Sequence, residues 1–172
     1  MLVDIEQCVQ KEVLVDFLSR GELNLQGVSY SPDGEALLYG VSTTSSNGTR
    51  TYQIFKLDLK TRQTIQLVSG INPSWSPDGT QFAYLQLDGI YLIKPGVSQP
   101  RLVIKHDFAD SQGGFQIASP FPRWSPDGNW LVYHLCDNDD CSTLTHAIYK
   151  AEISSGKEVK IISGGSYPDW KK

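Results

Sequence analysis

The chain of 172 residues lacks most of what marks a specialised protein. Its 15 basic and 19 acidic side chains leave a net charge of −4, with no cluster of Lys or Arg. It therefore lacks the electrostatic footprint that nucleic acid or an anionic lipid surface would select. No apolar run approaches the roughly 18–20 residues needed to cross a bilayer. The first residues, Met1-Leu2-Val3-Asp4-Ile5-Glu6, have neither the basic nor the apolar region of a secretion signal. No nucleic-acid partner and no membrane insertion are expected. The chain has only three histidines, His106, His134 and His146, and none lies in a His-Glu-x-x-His pattern. There is no Gly-x-Ser-x-Gly elbow, no Gly-x-Gly-x-x-Gly and no Walker A spacing. No catalytic constellation and no cofactor are expected, so the chain reads as something other than an enzyme. At 40% hydrophobic and 10% aromatic it can nonetheless bury a sizeable core.

What is present repeats. Ser-Pro-Asp-Gly occurs at Ser31-Pro32-Asp33-Gly34, Ser76-Pro77-Asp78-Gly79 and Ser125-Pro126-Asp127-Gly128, spaced 45 and 49 residues apart. The match extends outward. Pro73-Ser74-Trp75 and Pro122-Arg123-Trp124 precede the second and third copies, and Leu37-Leu38-Tyr39, Phe82-Ala83-Tyr84 and Leu131-Val132-Tyr133 follow the three in turn. A partial fourth copy, Pro168-Asp169-Trp170, closes the chain. Self-similarity at a fixed period is the signature of a repeat architecture.

Each copy reads as a turn rather than a catalytic site. Pro presets φ, Asp can bond its own backbone, and Gly accepts the positive φ that a hairpin needs. Around the turns, β-rich runs and short polar breaks give four strands per unit. In the third unit these are 121–125, 129–135, 145–153 and 159–162, and in the second 74–76, 81–85, 90–93 and 101–104. Connections this short join antiparallel neighbours, so each unit is a four-stranded meander. Four strands per period of about 45 residues point to the blade of a β-propeller.

The Trp-Ser-Pro-Asp-Gly core and the Phe-Ala-Tyr type strand after it resemble the TolB-like β-propeller repeat, a relative of the WD repeat. Trp75, Trp124 and Trp170 take the place of the repeat's structural anchors, and Tyr30 stands where the first unit would have its own. The resemblance implies an all-β propeller and protein or peptide partners in a cell-envelope setting.

The expected blocks are 1–20, the outer strands of an incomplete blade; 21–69 and 70–105, two blades; 106–119, an inter-blade loop containing Gly113-Gly114; 120–163, a third blade; and 164–172, the inner strand of a closing blade. Residues 2–16 match outer strands elsewhere, Leu2-Val3-Asp4-Ile5 resembling Lys56-Leu57-Asp58-Leu59, although so short a stretch is also compatible with a helix. The total is about 3.5 blades, whereas closed rings have roughly four to eight. The chain is thus expected to be part of a ring of six or more blades, or a half propeller that a second copy completes.

Three cysteines are too many to ignore and odd in number. Cys8 reads as a small hydrophobe. Cys136 and Cys141 flank Asp137-Asn138-Asp139-Asp140 at a hairpin tip and are expected to form a disulfide. Such a bond favours a periplasmic or extracellular location, with the cytoplasm as the alternative if Met1 is the native start. Direct cross-strand pairing of Cys136 with Cys141 would put His134 opposite Thr143 and His146 opposite Leu131. That register turns His146 to the other face and disfavours a zinc site of His134, Cys136, Cys141 and His146. The acidic tip lacks the spacing of a calcium loop and reads as solvated. No metal is expected.

The functional expectation is a non-enzymatic scaffold that binds protein partners through its loops and channel mouth. The alternatives are a gating propeller from a prolyl-oligopeptidase-type hydrolase, and a metal- or glycan-binding propeller.

Overall fold

The computed structural model describes residues 2–4, 9–11, 23–110, 113–115, 119–136 and 146–170. Every regular element among them is a strand. A short antiparallel pair comes first, β1 (Leu2–Asp4) with β2 (Val9–Lys11), so this part of the N-terminal segment is strand and not helix. Three four-stranded antiparallel sheets follow in chain order. The first contains β3 (Leu23–Tyr30), β4 (Ala36–Thr44), β5 (Arg50–Asp58) and β6 (Thr64–Ser69). The second contains β7 (Ile71–Trp75), β8 (Phe82–Gln86), β9 (Gly89–Ile93) and β10 (Arg101–Lys105). The third contains β11 (Arg123–Trp124), β12 (Trp130–Cys136), β13 (His146–Glu152) and β14 (Glu158–Ser163). Each sheet pairs its strands in sequence order, which is the meander of a propeller blade.

Strand alternation explains how the blades stack. Along β8, Phe82 and Tyr84 join Leu38, Ile54, Trp75 and Ile93 in a core against the first blade. The intervening Ala83 and Leu85 join Ile90, Leu131, Tyr133 and Leu135 in a core against the third. A middle blade buried on both faces therefore reads as a near-continuous apolar run, where a half-exposed sheet would alternate.

Two features recur in the inner strands. The pairing of β3 with β4 shifts between Leu25 and Val28, and that of β7 with β8 shifts between Ile71 and Ser74. These bulges carry a residue with positive φ, Gly27 (79°) in β3 and Asn72 (52°) in β7. Tyr167, at the matching place before Pro168-Asp169-Trp170, has a φ of 52° as well. The tryptophans also repeat a bond. Trp124 Nε1 donates to the Ser74 carbonyl at 2.9 Å, and Trp170 Nε1 donates to the Arg123 carbonyl at 3.1 Å. Each acceptor is the residue just before the preceding blade's tryptophan. Residues 164–170 thus sit against the third blade as the third sits against the second, although they form no strand among the described residues.

The third blade corrects the expected hairpin register. Cys136 lies opposite His146, His134 opposite Ile148 and Leu131 opposite Ala151. The ladder stops at Cys136 and His146, so nine residues separate the two strand ends instead of the four a direct Cys136–Cys141 pairing would leave. An odd shift in register moves side chains to the opposite face. His134, Cys136 and His146 consequently share one face, with the two imidazoles edge to face at 5.1 Å. The face argument against zinc fails. Among the described residues no group of three or more His, Cys, Asp or Glu side chains is arranged to hold a metal ion. Cys8, Cys141 and the acidic tip Asp137 to Asp140 lie outside the described residues.

A candidate binding cleft at the loop end

The two ends of the blades are built differently. At one end lie the three Ser-Pro-Asp-Gly turns, each closing on itself in the same way. The serine is buried, with Ser31, Ser76 and Ser125 at 8%, 1% and 3% exposure. Its hydroxyl bonds the aspartate two residues on and accepts the backbone N–H five residues on, from Ala36 at 2.8 Å, Gln81 at 3.2 Å and Trp130 at 2.9 Å. The aspartate also accepts a backbone N–H, from Glu35, Thr80 or Asn129. The glycine N–H donates to the serine carbonyl at 2.9 Å in all three, with glycine φ between 68° and 72°. The serine hydroxyl, then these backbone bonds, hold Asp33, Asp78 and Asp127 below the usual carboxylate range. All three motifs therefore consume their own hydrogen-bonding groups. Trp75 and Trp124 lie just before them in the blade interfaces, each 8% exposed. The indole N–H of Trp75 is buried without a partner among the described residues, unlike those of Trp124 and Trp170.

At the other end lies a cleft of about 550 Å³ between the first and second blades. The start of β3 contributes Asn24 and Gln26, the end of β4 Ser42 and Thr44, and the start of β5 Arg50 and Tyr52. The second blade supplies Ile71 and Asn72. The inter-blade segment adds Phe115 and Ser119, and Phe121 completes the lining.

This segment is folded as a strap. Asp110 N–H donates to the Gly114 carbonyl at 2.7 Å, Gly114 N–H returns a bond to Asp110 Oδ1 at 2.8 Å, and Ala109 pairs with Phe115 in an isolated bridge. Arg50 reaches Asp110 Oδ2 at 3.1 Å. Phe115 meets the Tyr52 ring edge to face at 4.8 Å and donates its N–H to the Tyr52 hydroxyl at 3.3 Å. A Cβ at Gly114 would fall 2.6 Å from Arg50 Nη1 and 2.8 Å from the Tyr52 hydroxyl, so a side chain there would push those two groups aside. Where the strap begins, His106 packs on Phe108 at 4.8 Å, and burial lowers its pKa.

Asn72 is the residue that sequence reasoning missed. It is 3% exposed, has a positive φ, and abuts Gly27, where a Cβ would come within 2.9 Å of the Asn72 Cα. Its Nδ2 donates to the Pro120 carbonyl at 2.9 Å, which fixes the orientation of the amide. Its Oδ1 is buried without a hydrogen-bond partner among the described residues. A buried acceptor left unfilled costs about 1–3 kcal/mol. The signal was in the sequence: this position is Gly27 in the first unit and Phe121 in the third, so a polar residue here departs from the repeat.

No family model and no curated protein sequence matches the chain. Solved structures do. A protein assigned as TolB from Agrobacterium tumefaciens superposes with a TM-score of 0.61 at 23% identity, over 86% of this chain and 50% of that one. The fold is that of a TolB-like β-propeller. Two archaeal proteins share the architecture at lower identity. Pyrococcus horikoshii acylaminoacyl peptidase gives a TM-score of 0.60 at 11% identity, over 83% of this chain and 25% of that one. The β-propeller domain of the Trilobed protease from Pyrococcus furiosus, described as having an open velcro topology, gives 0.57 at 13%, over 82% and 43%. The chain spans about half the length of the Agrobacterium protein.

Proposed function

We propose that this TolB-like propeller is a non-catalytic scaffold that holds a protein partner at its loop end. The observation that supports the reading is the loop-end cleft, where Tyr52, Phe115, Phe121 and Arg50 converge on a strap pinned to the first blade. Aromatic and arginine side chains on rigid strands are the usual anchors of protein interfaces. The turn end, by contrast, spends its polar groups on itself.

A photo-crosslinker placed at Thr44, on the cleft rim, is expected to trap a discrete protein adduct that the same group at Pro126, in a turn, does not. Equal labelling from both positions, or none from Thr44, overturns the reading. The oxidising compartment belongs to the same proposal, since a disulfide between Cys136 and Cys141 would persist only there.

A second copy of the chain is the proposed cover for the third blade, whose outer strand leaves Val159, Ile161 and Ile162 41%, 53% and 55% exposed. Light scattering that finds a monodisperse monomer removes that part alone.

A further inference from the structure

The cleft that supports the protein-docking reading also carries, around Asn72, a set of hydrogen-bonding groups suited to a small ligand. Its amides at Asn24 and Gln26 and its hydroxyls at Ser42 and Thr44 are uncharged hydrogen-bonding groups. Gln26 Nε2 already donates to Ser42 Oγ at 3.1 Å, so these groups are held in relation to one another. Among the described lining residues Arg50 is the only charged one, and Asp110 occupies it. An anionic ligand would compete with that carboxylate, and a cationic one would find no counter-charge. A purely apolar ligand would strip water from four amide or hydroxyl groups and return nothing. The aromatic walls, Phe115 and Phe121, offer flat surfaces for a ring with apolar C–H faces.

The deciding group is Asn72 Oδ1. It is an unfilled acceptor in a side chain 3% exposed, its amide nitrogen is committed to Pro120, and Asn72 is one of the residues that line the cleft. A hydrogen-bond donor is what it needs, the O–H of a ligand or of a water that the ligand displaces. A volume of about 550 Å³ lies within the range of small-ligand sites, roughly 300–1,000 Å³.

We propose that the cleft binds a neutral saccharide, with one sugar hydroxyl donating to Asn72 Oδ1, further hydroxyls bonded to Gln26 and Ser42, and the ring laid against Phe121.

The test is isothermal titration of the chain with maltose, cellobiose and N,N′-diacetylchitobiose. At least one is expected to bind saturably. Asn72→Gly keeps a residue that tolerates the positive φ, and is expected to weaken that binding at least tenfold. Gln26→Ala, at the cleft rim, is expected to weaken it severalfold, while Lys60→Ala, on the far outer turn, leaves it within twofold. Failure of all three sugars to bind overturns the proposal, as does binding that survives Asn72→Gly within twofold. If Asn72→Gly loses its β-sheet circular dichroism, Gln26→Ala decides, and unchanged affinity in that variant overturns the proposal. Crosslinking from Thr44 reads a protein partner and these titrations read a sugar, so the failure of one is distinguishable from the failure of the other.

Discussion

The turn end and the loop end of the blades are made from the same strands, yet they treat hydrogen bonds in opposite ways. At the turn end three copies of one device bury a serine hydroxyl and satisfy it both as donor, to the aspartate, and as acceptor, from a backbone N–H. At the loop end no two blades agree: three residues before Tyr30, Trp75 and Trp124 the first has Gly27, the second Asn72 and the third Phe121, and the strap is held to the first blade by Arg50 and Tyr52 but to the second by backbone bonds from His106 to Asp88 and from Phe108 to Leu87. Repetition serves the fold, because every blade must meet its neighbour in the same geometry. Departure from repetition makes a cleft.

The largest effects should fall on the repeated part. Trp124→Ala removes an indole buried between the second and third blades along with its bond to Ser74, and is expected to destabilise the protein by about 3–5 kcal/mol in urea denaturation. Ser76→Ala strands the Gln81 N–H and frees Asp78, for a loss of about 1–3 kcal/mol. Asn72→Gly at the loop end should cost less than Ser76→Ala, because it deletes an unfilled acceptor together with the amide's bonds to Pro120 and, at 3.5 Å, Ser119. Were its stability loss to exceed that of Ser76→Ala, the contrast between the ends would collapse.

Acid should separate the two ends further. The turn aspartates are more acidic when folded than their ordinary value of 3.8, so the stabilisation they give is complete above about pH 4 and is lost as pH falls through their folded values. Urea midpoints are expected to drop between pH 5 and pH 2, and the Ser76→Ala variant should show a shallower drop. The smallest effect belongs to Arg50→Gln: the exposed pair with Asp110 is worth under about 1 kcal/mol, and its contribution should fade in high salt.

How far the sequence was legible follows the same division. The turns could be read residue by residue, since Pro, Asp and Gly act locally on their own backbone. The β12–β13 register could not. The ladder ends at Cys136 and His146, and the expectation from cysteine pairing placed the histidines on opposite faces. Asn72 was marked in the sequence only as a polar residue where the other units have Gly27 and Phe121. Its significance lies in meeting Pro120 and Gly27 across blade boundaries, at sequence separations of 48 and 45 residues.

Sequence by itself determined the blade, its period, its turns and the tryptophan that docks each blade on the one before. These follow from local backbone preference and from strand alternation, both encoded within a few residues. The cleft, the strap's hold on Tyr52 and Arg50, the shared face of His134 and His146, and the unfilled oxygen of Asn72 were decided only by tertiary structure. Each depends on which atoms of distant strands come within about 3 Å, and burial then sets whether a polar atom keeps its water or waits for a partner.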